Sequence, residues 1–498
     1  MYLCVKYIKE TFETFGRTPM NKYKKLFGNT LVFAVGSFGT KLLGFLLVAL
    51  YTRVMSEGEY STVDLIYQTV NILVPLVTFS MSDAVIRFGM DNEYDHRKVY
   101  TCANLCVLFG MTVFMLFTPL VSKINTIGDY SFLLYIYCYF SCFRQIASQY
   151  VRARGYVKLF AADGIFSVLT QVICNLVLLL GFKLGVTGYI LSIVISDGLS
   201  LCMLTLIAGL YKALDTSFIS PKLIKEMLKF SAPLIPTYLL WWITSASDRW
   251  FIVGMIDADT NGIYAVGNKL PTLLMLVTTI FYQAWQMSSI EERDSRYIGK
   301  FYENVFGAYS SLLFIAASGL IMLCKPLTIV LTGTGDDSGI TSFFSAYKFT
   351  PILIVAMIFQ CFCQFLSSIY TTRKKSVNSF KTALVAGLLN IVLNWLLIPK
   401  LGVWGAAIAT AASYFACFAV RIFDARKIIF FRVDHIKLIV NTAILIIMCV
   451  IMAKQPTLYW LGLILAFIVM TVYNFDAIIK TLRQFLSKGK KRRPNAAR

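Results

Sequence analysis

Polar residues that recur at helical spacing inside an apolar stretch are where this chain can do chemistry. Asp64, Gln68, Asn71, Pro75, Thr78 and Ser82 follow one another at steps of four, three, four, three and four residues. At 3.6 residues per turn they share one helix face, roughly 27 Å long, nearly the thickness of a hydrocarbon core. Lys41 lies near the middle of the preceding apolar stretch, 29–54. A lone ammonium there costs about 2.5–3.5 kcal/mol unless it meets water or a partner. Two readings are open: the two helices wall a polar, positively biased cavity, or Asp64 sits at the interface while Lys41 snorkels. Lys41 is roughly 18 Å from the inner helix end, too deep to snorkel well, which favours the cavity.

The same logic returns later in the chain. In the stretch 262–288, Asn268, Thr272, Thr279, Gln283 and Gln286 share a face, with Lys269 beside the first of them. Lys41 and Lys269 therefore bracket a candidate anion site. Asp248-Arg249, flanked by Trp241, Trp242 and Trp250, reads either as an interfacial anchor or as a cavity gate. Asp197, in Ser196-Asp197-Gly198, is a mid-membrane carboxylate that either pairs with a cavity Lys, carries a coupling proton or binds a cation, or is a protonated or locally hydrogen-bonded residue in packed helices. Asp83 and Arg87, four residues apart, read as an ion pair or gate at the inner helix end.

These residues need elements that hold them in a bilayer, and the composition supplies them. The 498 residues are 57% hydrophobic and 15% charged, with a mean hydropathy of +0.68. Soluble domains are about 45–50% apolar. The chain is therefore an integral membrane protein, all-α and polytopic. We expect fourteen transmembrane helices near 29–54, 60–86, 99–122, 130–152, 158–182, 186–211, 230–255, 262–288, 300–325, 343–371, 377–398, 403–427, 436–454 and 457–478, each long enough to span.

The formal net charge is +21, and most of the 47 Lys and Arg fall at the two termini and in the loops on their side. The positive-inside rule makes that side cytoplasmic and explains the charge without nucleic acid. Arg152-Arg154-Lys158, Arg373-Lys374-Lys375, Arg426-Lys427-Arg432 and the run 488–493 read as topology signals.

Internal similarity organises the helices. Lys183-Leu184-Gly185-Val186-Thr187-Gly188 recurs as Lys400-Leu401-Gly402-Val403-Trp404-Gly405, 217 residues on. Phe143-x-Gln145-x-x-Ser148-x5-Arg154 recurs as Phe362-x-Gln364-x-x-Ser367-x5-Arg373, 219 residues on. Two matches in order, at nearly one offset, predict two six-helix bundles related as parallel repeats, with two further C-terminal helices. The expected divisions are a cytoplasmic segment 1–28, a bundle 29–211, a linker 212–229, a bundle 230–430, two helices in 431–478 and a basic tail 479–498. Pro221 to Lys229 is amphipathic; it is either a surface helix that lets the bundles move or a plain linker.

Several chemistries are unsupported. The twelve cysteines, including Cys102, Cys106, Cys138, Cys142, Cys361 and Cys363, read as small packing residues. His96 and His435 fall in charged loops. No P-loop occurs, and no hydrophilic loop is long enough for a catalytic domain; the largest outer insertion, Thr332 to Ser342 with Asp336-Asp337, is short. We expect no cofactor, no metal and no enzyme. No cleavable leader is apparent. Met20-Asn21-Lys22-Tyr23-Lys24-Lys25 has the look of a natural start, with 1–19 as an upstream extension or an interfacial segment.

At this point the residues resemble a family: the polysaccharide transporter branch of the MATE-like flippase (MOP) superfamily, with its Wzx-type flippases and, more distantly, MurJ-type lipid II flippases. The resemblance rests on Lys41-Leu42-Leu43-Gly44-Phe45 through Thr52-Arg53-Val54-Met55-Ser56, on Glu59-Tyr60, on Ala84-Val85-Ile86-Arg87-Phe88, on Asp248-Arg249, on Gly262-Ile263-Tyr264 with Phe281-x3-Trp285, and on Lys400 to Gly405. It implies two six-helix bundles plus two helices, and export of an undecaprenyl-diphosphate-linked oligosaccharide by alternating access, for cell-surface polysaccharide biosynthesis at the cell membrane. It further implies that Lys41, Arg53 and Lys269 hold the diphosphate. MurJ-type proteins concentrate arginines in helices 1, 2 and 8; here the second helix carries Asp64, a departure that makes lipid II the less expected cargo.

Hydroxyl-rich sugars would meet Gln68, Asn71, Thr78, Gln283 and Gln286, and the expected partners are the lipid-linked glycan, membrane lipid and a glycan polymerase or glycosyltransferase complex. Two alternatives differ in their requirements. A MATE-type exporter coupled to Na⁺ or H⁺ would use Asp64 or Asp197 and a net-acidic cavity. A membrane-embedded polymerase or ligase would need a sizeable outer loop.

Overall fold

The computed structural model describes residues 43–491 apart from 92, 125, 292–295, 334–341 and 374. Lys41, the N-terminal segment 1–28, Lys374, Asp336-Asp337 and the end of the basic tail lie outside the described residues. So do the side chains of Gln283 and Gln286, although their backbone belongs to the helix Lys269–Glu291.

Among the described residues every regular element is a helix. Among the described residues, nine helices are long and apolar enough to cross a membrane, or ten if Glu57–Val77 and Met81–Gly89, bent by 52°, form one span. Each expected span from 60–86 onward coincides with a helix or a broken pair of helices. Ser131–Ala153 is long enough but more polar, because Arg144, Gln145, Gln149 and Arg152 interrupt its apolar run.

The chain forms two compact units. One comprises Leu65–Tyr238 with the residues up to Leu47; the other comprises Val48–Asp64 and Leu239–Arg498.

In the first unit the polar stripe does not continue as one straight helix. Pro75 has no N–H for the carbonyl of Asn71, which weakens the ladder at that turn. Phe79 and Ser80 then take φ of 50° and 53°, a left-handed step that ends the helix before Met81 restarts it. The segment after Ala208 is tied to the same unit. Thr101 Oγ1 donates to the carbonyl of Ala213, and Ser220 caps the helix Pro221–Ser231 by accepting from Leu223 N–H. Leu223 and Met227 are buried, Tyr94 donates to Glu226 (3.2 Å), and Phe88 packs on Phe230. The amphipathic stretch is thus a docked helix.

In the second unit, Ser56 and Glu59 form a reciprocal capping box. Ser56 N–H donates to Glu59 Oε2 (2.9 Å), and Glu59 N–H donates to Ser56 Oγ (3.3 Å). This fixes where the helix Glu57–Val77 begins. Gly262 then packs on that turn: a Cβ there would stand 2.1 Å from the carbonyl oxygen of Glu57, so only glycine fits. The expected span 262–288 is broken into Ala258–Gly267 and Lys269–Glu291. Pro271 supplies no N–H to the carbonyl of Gly267, and Thr350 Oγ1 donates to it instead (3.2 Å). Below this break, Phe281, Trp285, Tyr309 and Phe365 stack with centroids 4.4–6.3 Å apart, and Trp285 Nε1 donates to Ser368 Oγ (2.9 Å).

The two repeated turns share their backbone logic. Gly185 and Gly402 both have positive φ, 51° and 58°. Three residues on, a Cβ at Gly405 would stand 2.4 Å from the carbonyl oxygen of Leu397, and one at Gly188 would crowd Leu184 and Leu179.

Candidate functional site

In each unit acidic and basic side chains cluster at a buried place. In the second unit Arg249 is the hub. Its Nε donates to Asp64 Oδ2 at 2.6 Å, its Nη1 lies 3.2 Å from Asp248 Oδ1, and Lys269 Nζ stands 3.5 Å from Asp64 Oδ1. Tyr264 and Thr410 both donate to Asp248 Oδ2. Tyr60 lies under Lys269, and the Tyr264 ring lies 5.9 Å from the guanidinium. Two carboxylates face two cations, so the cluster is formally neutral. Asp64, Asp248 and Arg249 are 3%, 1% and 4% exposed. Buried charges survive when each is paired and hydrogen-bonded, which this arrangement provides.

In the first unit Arg144 is the hub. Its Nη1 donates to Asp197 Oδ1 (2.9 Å), its Nη2 to Asp163 Oδ2 (3.3 Å) and its Nε to Ser200 Oγ (2.7 Å). Ser141 donates to Asp197, and Ser200 and Ser148 donate to Asp163. Three helices, Ser131–Ala153, Val157–Asn175 and Gly185–Ala208, are joined there. This cluster holds one more carboxylate than cation.

Beside it lies a cavity of about 450 Å³ within the first unit. Asn71, Pro75, Ser82 and Asp83 line it from the broken helix, and Ser141, Gln145, Gln149 and Arg152 line it from Ser131–Ala153. Tyr238 closes one side and donates to Asp83 Oδ2 (2.9 Å). The Oε1 atoms of Gln145 and Gln149 are buried and have no hydrogen-bond partner among the described residues.

The sequence-selected residues divide among these places. Asn71, Pro75 and Ser82 line the cavity. Gln68 is half-buried, and Thr78 is buried with its hydroxyl on the carbonyl of Val74 (2.7 Å). Asp64 belongs instead to the Arg249 cluster, because an unpaired carboxylate at that depth would be far more expensive than one held by two cations. Lys269 shares Asp64 with Arg249 and keeps 27% of its side chain exposed. Asp248 and Arg249 are buried partners, a geometry that differs from an aromatic-belt anchor. Asp83 and Arg87 do not pair: Asp83 accepts from Tyr238, and Arg87 lies 3.4 Å from Asp91. Arg53 is exposed.

Other groups carry no stripe or motif and emerge from the fold. Arg144 and Asp163 share no polar stripe, yet each is a mid-span charge, and such charges find partners. Arg421 is fully buried; it donates to Thr382 Oγ1 (3.0 and 2.7 Å) and to the carbonyls of Cys363 (2.9 Å) and Ser379 (3.1 Å), with the Trp241 and Tyr370 rings 5.4 and 5.6 Å away. Each unit therefore pins three helices on one arginine.

Long apolar helices in two units, buried charges held in hydrogen-bonded networks and a polar cavity mark a multi-pass membrane protein. Residues 26–286, more than half the chain, match the family described as polysaccharide biosynthesis protein, and the chain belongs to that family. No curated protein matches the chain. Among solved structures it is similar to the lipid II flippase MurJ in an inward closed conformation, at 17% identity and TM-score 0.67, over 91% of this chain and 99% of that one. It is also similar to an inward-facing multidrug resistance MATE family transporter of the MOP superfamily, at 11% identity and TM-score 0.64, over 79% of this chain and 98% of that one. A mutant of the Vibrio cholerae MATE transporter VcmN gives 13% identity and TM-score 0.56, over 81% of this chain and 97% of that one. The fold is the one that these solved structures share.

Proposed function

We propose that this chain is a flippase that carries an undecaprenyl-diphosphate-linked oligosaccharide across the cytoplasmic membrane by alternating access, in cell-surface polysaccharide biosynthesis. The carrying observation is family membership through residues 26–286 on a backbone that MurJ matches over 91% of this chain, whereas the MATE transporter matches 79%. Physics fits the cargo: a diphosphate needs cations and water, hydroxyl-rich sugars need amides, and a polyprenyl tail needs lipid.

In this reading both termini are cytoplasmic, and Lys41, Arg53 and the exposed part of Lys269 meet the diphosphate. Gln68, Asn71, Gln283 and Gln286 meet sugar, and Asp64 serves by holding Lys269 and Arg249 in place. Asp83, Arg87, Asp248 and Arg249 are gate residues, and Asp197 is the coupling residue. Glycosyltransferases or a polymerase working on the same lipid are the expected partners. Lys41→Ala should abolish complementation of a flippase-deficient strain while membrane insertion is retained; normal glycan export by that variant removes Lys41 from the site. Asp197→Asn should alter the dependence of export on proton or sodium gradients, and an unchanged dependence makes Asp197 structural.

A second reading, an ion-coupled exporter of small organic cations, draws support from the surplus carboxylate around Arg144. Efflux of a cationic dye that depends on this chain would favour it.

A further inference from the structure

We propose that the cavity of the first unit is a glycan-recognition subsite, in which Gln145 and Gln149 bind sugar hydroxyls and thereby set which oligosaccharide is accepted. The inference rests on the reading above, that the cargo is a lipid-linked glycan, and adds where its sugar is read.

Four observations lead there. Gln145 and Gln149 stand one turn apart on Ser131–Ala153, so both amides face the same space. Their Oε1 atoms are buried acceptors without partners among the described residues, and a buried polar group left unmade costs about 1–3 kcal/mol, which a ligand hydroxyl or water would relieve. The opposite wall offers the amide of Asn71, at an exposed position, and the ring of Tyr238, whose hydroxyl is already committed to Asp83. Finally, about 450 Å³ falls within the roughly 300–1,000 Å³ typical of small-molecule pockets.

The polarity of the site selects the ligand. Unpartnered acceptor oxygens and the Asp83 carboxylate seek O–H and N–H donors and repel phosphate oxygens. The cation in the lining, Arg152, stands at the end of its helix over the Phe160 ring, 5.6 Å from the centroid. Neutral sugar hydroxyls, which donate as well as accept, suit such a wall better than a diphosphate, which only accepts. Gln145 also belongs to the repeated Phe-x-Gln motif, and its counterpart Gln364 likewise has a buried Oε1 without a partner among the described residues. The motif therefore keeps a buried, unpartnered amide oxygen in each unit.

The test uses the full chain in lipid nanodiscs and two probes: bare undecaprenyl diphosphate, and the undecaprenyl-diphosphate-linked oligosaccharide extracted from source cells lacking this chain. The wild type should bind the glycosylated lipid at least about tenfold more tightly than the bare one, an advantage of about 1.4 kcal/mol. Gln145→Leu with Gln149→Leu should erase that difference and leave the affinity for bare lipid unchanged. Asn71→Leu, at an exposed position that tolerates change, should reduce the difference in the same direction if the double variant fails to fold.

Equal wild-type affinity for the two lipids overturns the proposal, as does a variant that keeps the full difference. Equal loss for both lipids assigns the cavity to the diphosphate and also overturns it. Binding of neither lipid by the wild type removes the flippase reading itself.

Discussion

At the scale of single residues, the second unit shows how charge is kept inside a membrane. Arg249 serves two carboxylates, and Lys269 completes the balance at Asp64. Breaking such a set by deleting one member leaves an uncompensated charge, which costs about 3–5 kcal/mol. Arg249→Met should therefore lower the thermal unfolding midpoint in detergent sharply. Adding Asp64→Asn to that variant should recover part of the loss, because one of the stranded carboxylates is gone. A melting curve for Arg249→Met that overlays the wild type would mean the cluster does not hold the unit together. Asp64, Asp248-Arg249 and Lys269 each stand out in the sequence by depth and charge. That they form one site does not, since Arg249 and Lys269 lie 185 and 205 positions from Asp64 and nothing in a helical period says which faces meet. Tyr264 is the same case: its motif is legible, whereas its bond to Asp248 needs the fold.

At the scale of elements, helical periodicity is a sound guide until the backbone departs from a helix. The stripe from Asp64 to Ser82 assumes one continuous helix, but Pro75 and the left-handed pair Phe79 and Ser80 turn its last part by 52°. Pro75 was the visible signal; the size of the turn was not written in it. The helix limits elsewhere follow local rules, such as the Ser56–Glu59 capping box. Glycines report where elements touch. A methyl group at Gly262 would stand 2.1 Å from the carbonyl oxygen of Glu57, and one at Gly405 would stand 2.4 Å from that of Leu397. Neither obstacle is a side chain that can swing away, so Gly262→Ala and Gly405→Ala should each destabilise by at least about 1–3 kcal/mol. Purified yield and the unfolding midpoint would read this; variants as stable as the wild type would show that these helices can slide apart freely.

At the scale of the whole molecule, the internal repeat was the most informative feature of the sequence. Gly185 and Gly402 share a positive φ, and each unit ties three helices around an arginine, Arg144 in one and Arg421 in the other. The arginines come from different helices of their units, so the junction is repeated while the residue that fills it is not. Two like units suit the proposed movement of cargo; the family is that of polysaccharide biosynthesis proteins, and the fold is shared with a lipid II flippase. What the chain carries is decided most directly by reconstituting it in proteoliposomes loaded with a fluorescent undecaprenyl-diphosphate-linked oligosaccharide and measuring how fast the lipid becomes accessible to a membrane-impermeant quencher. The account predicts transfer between leaflets well above that of protein-free vesicles. Transfer no faster than in protein-free vesicles, from protein that is folded and correctly inserted, would contradict it.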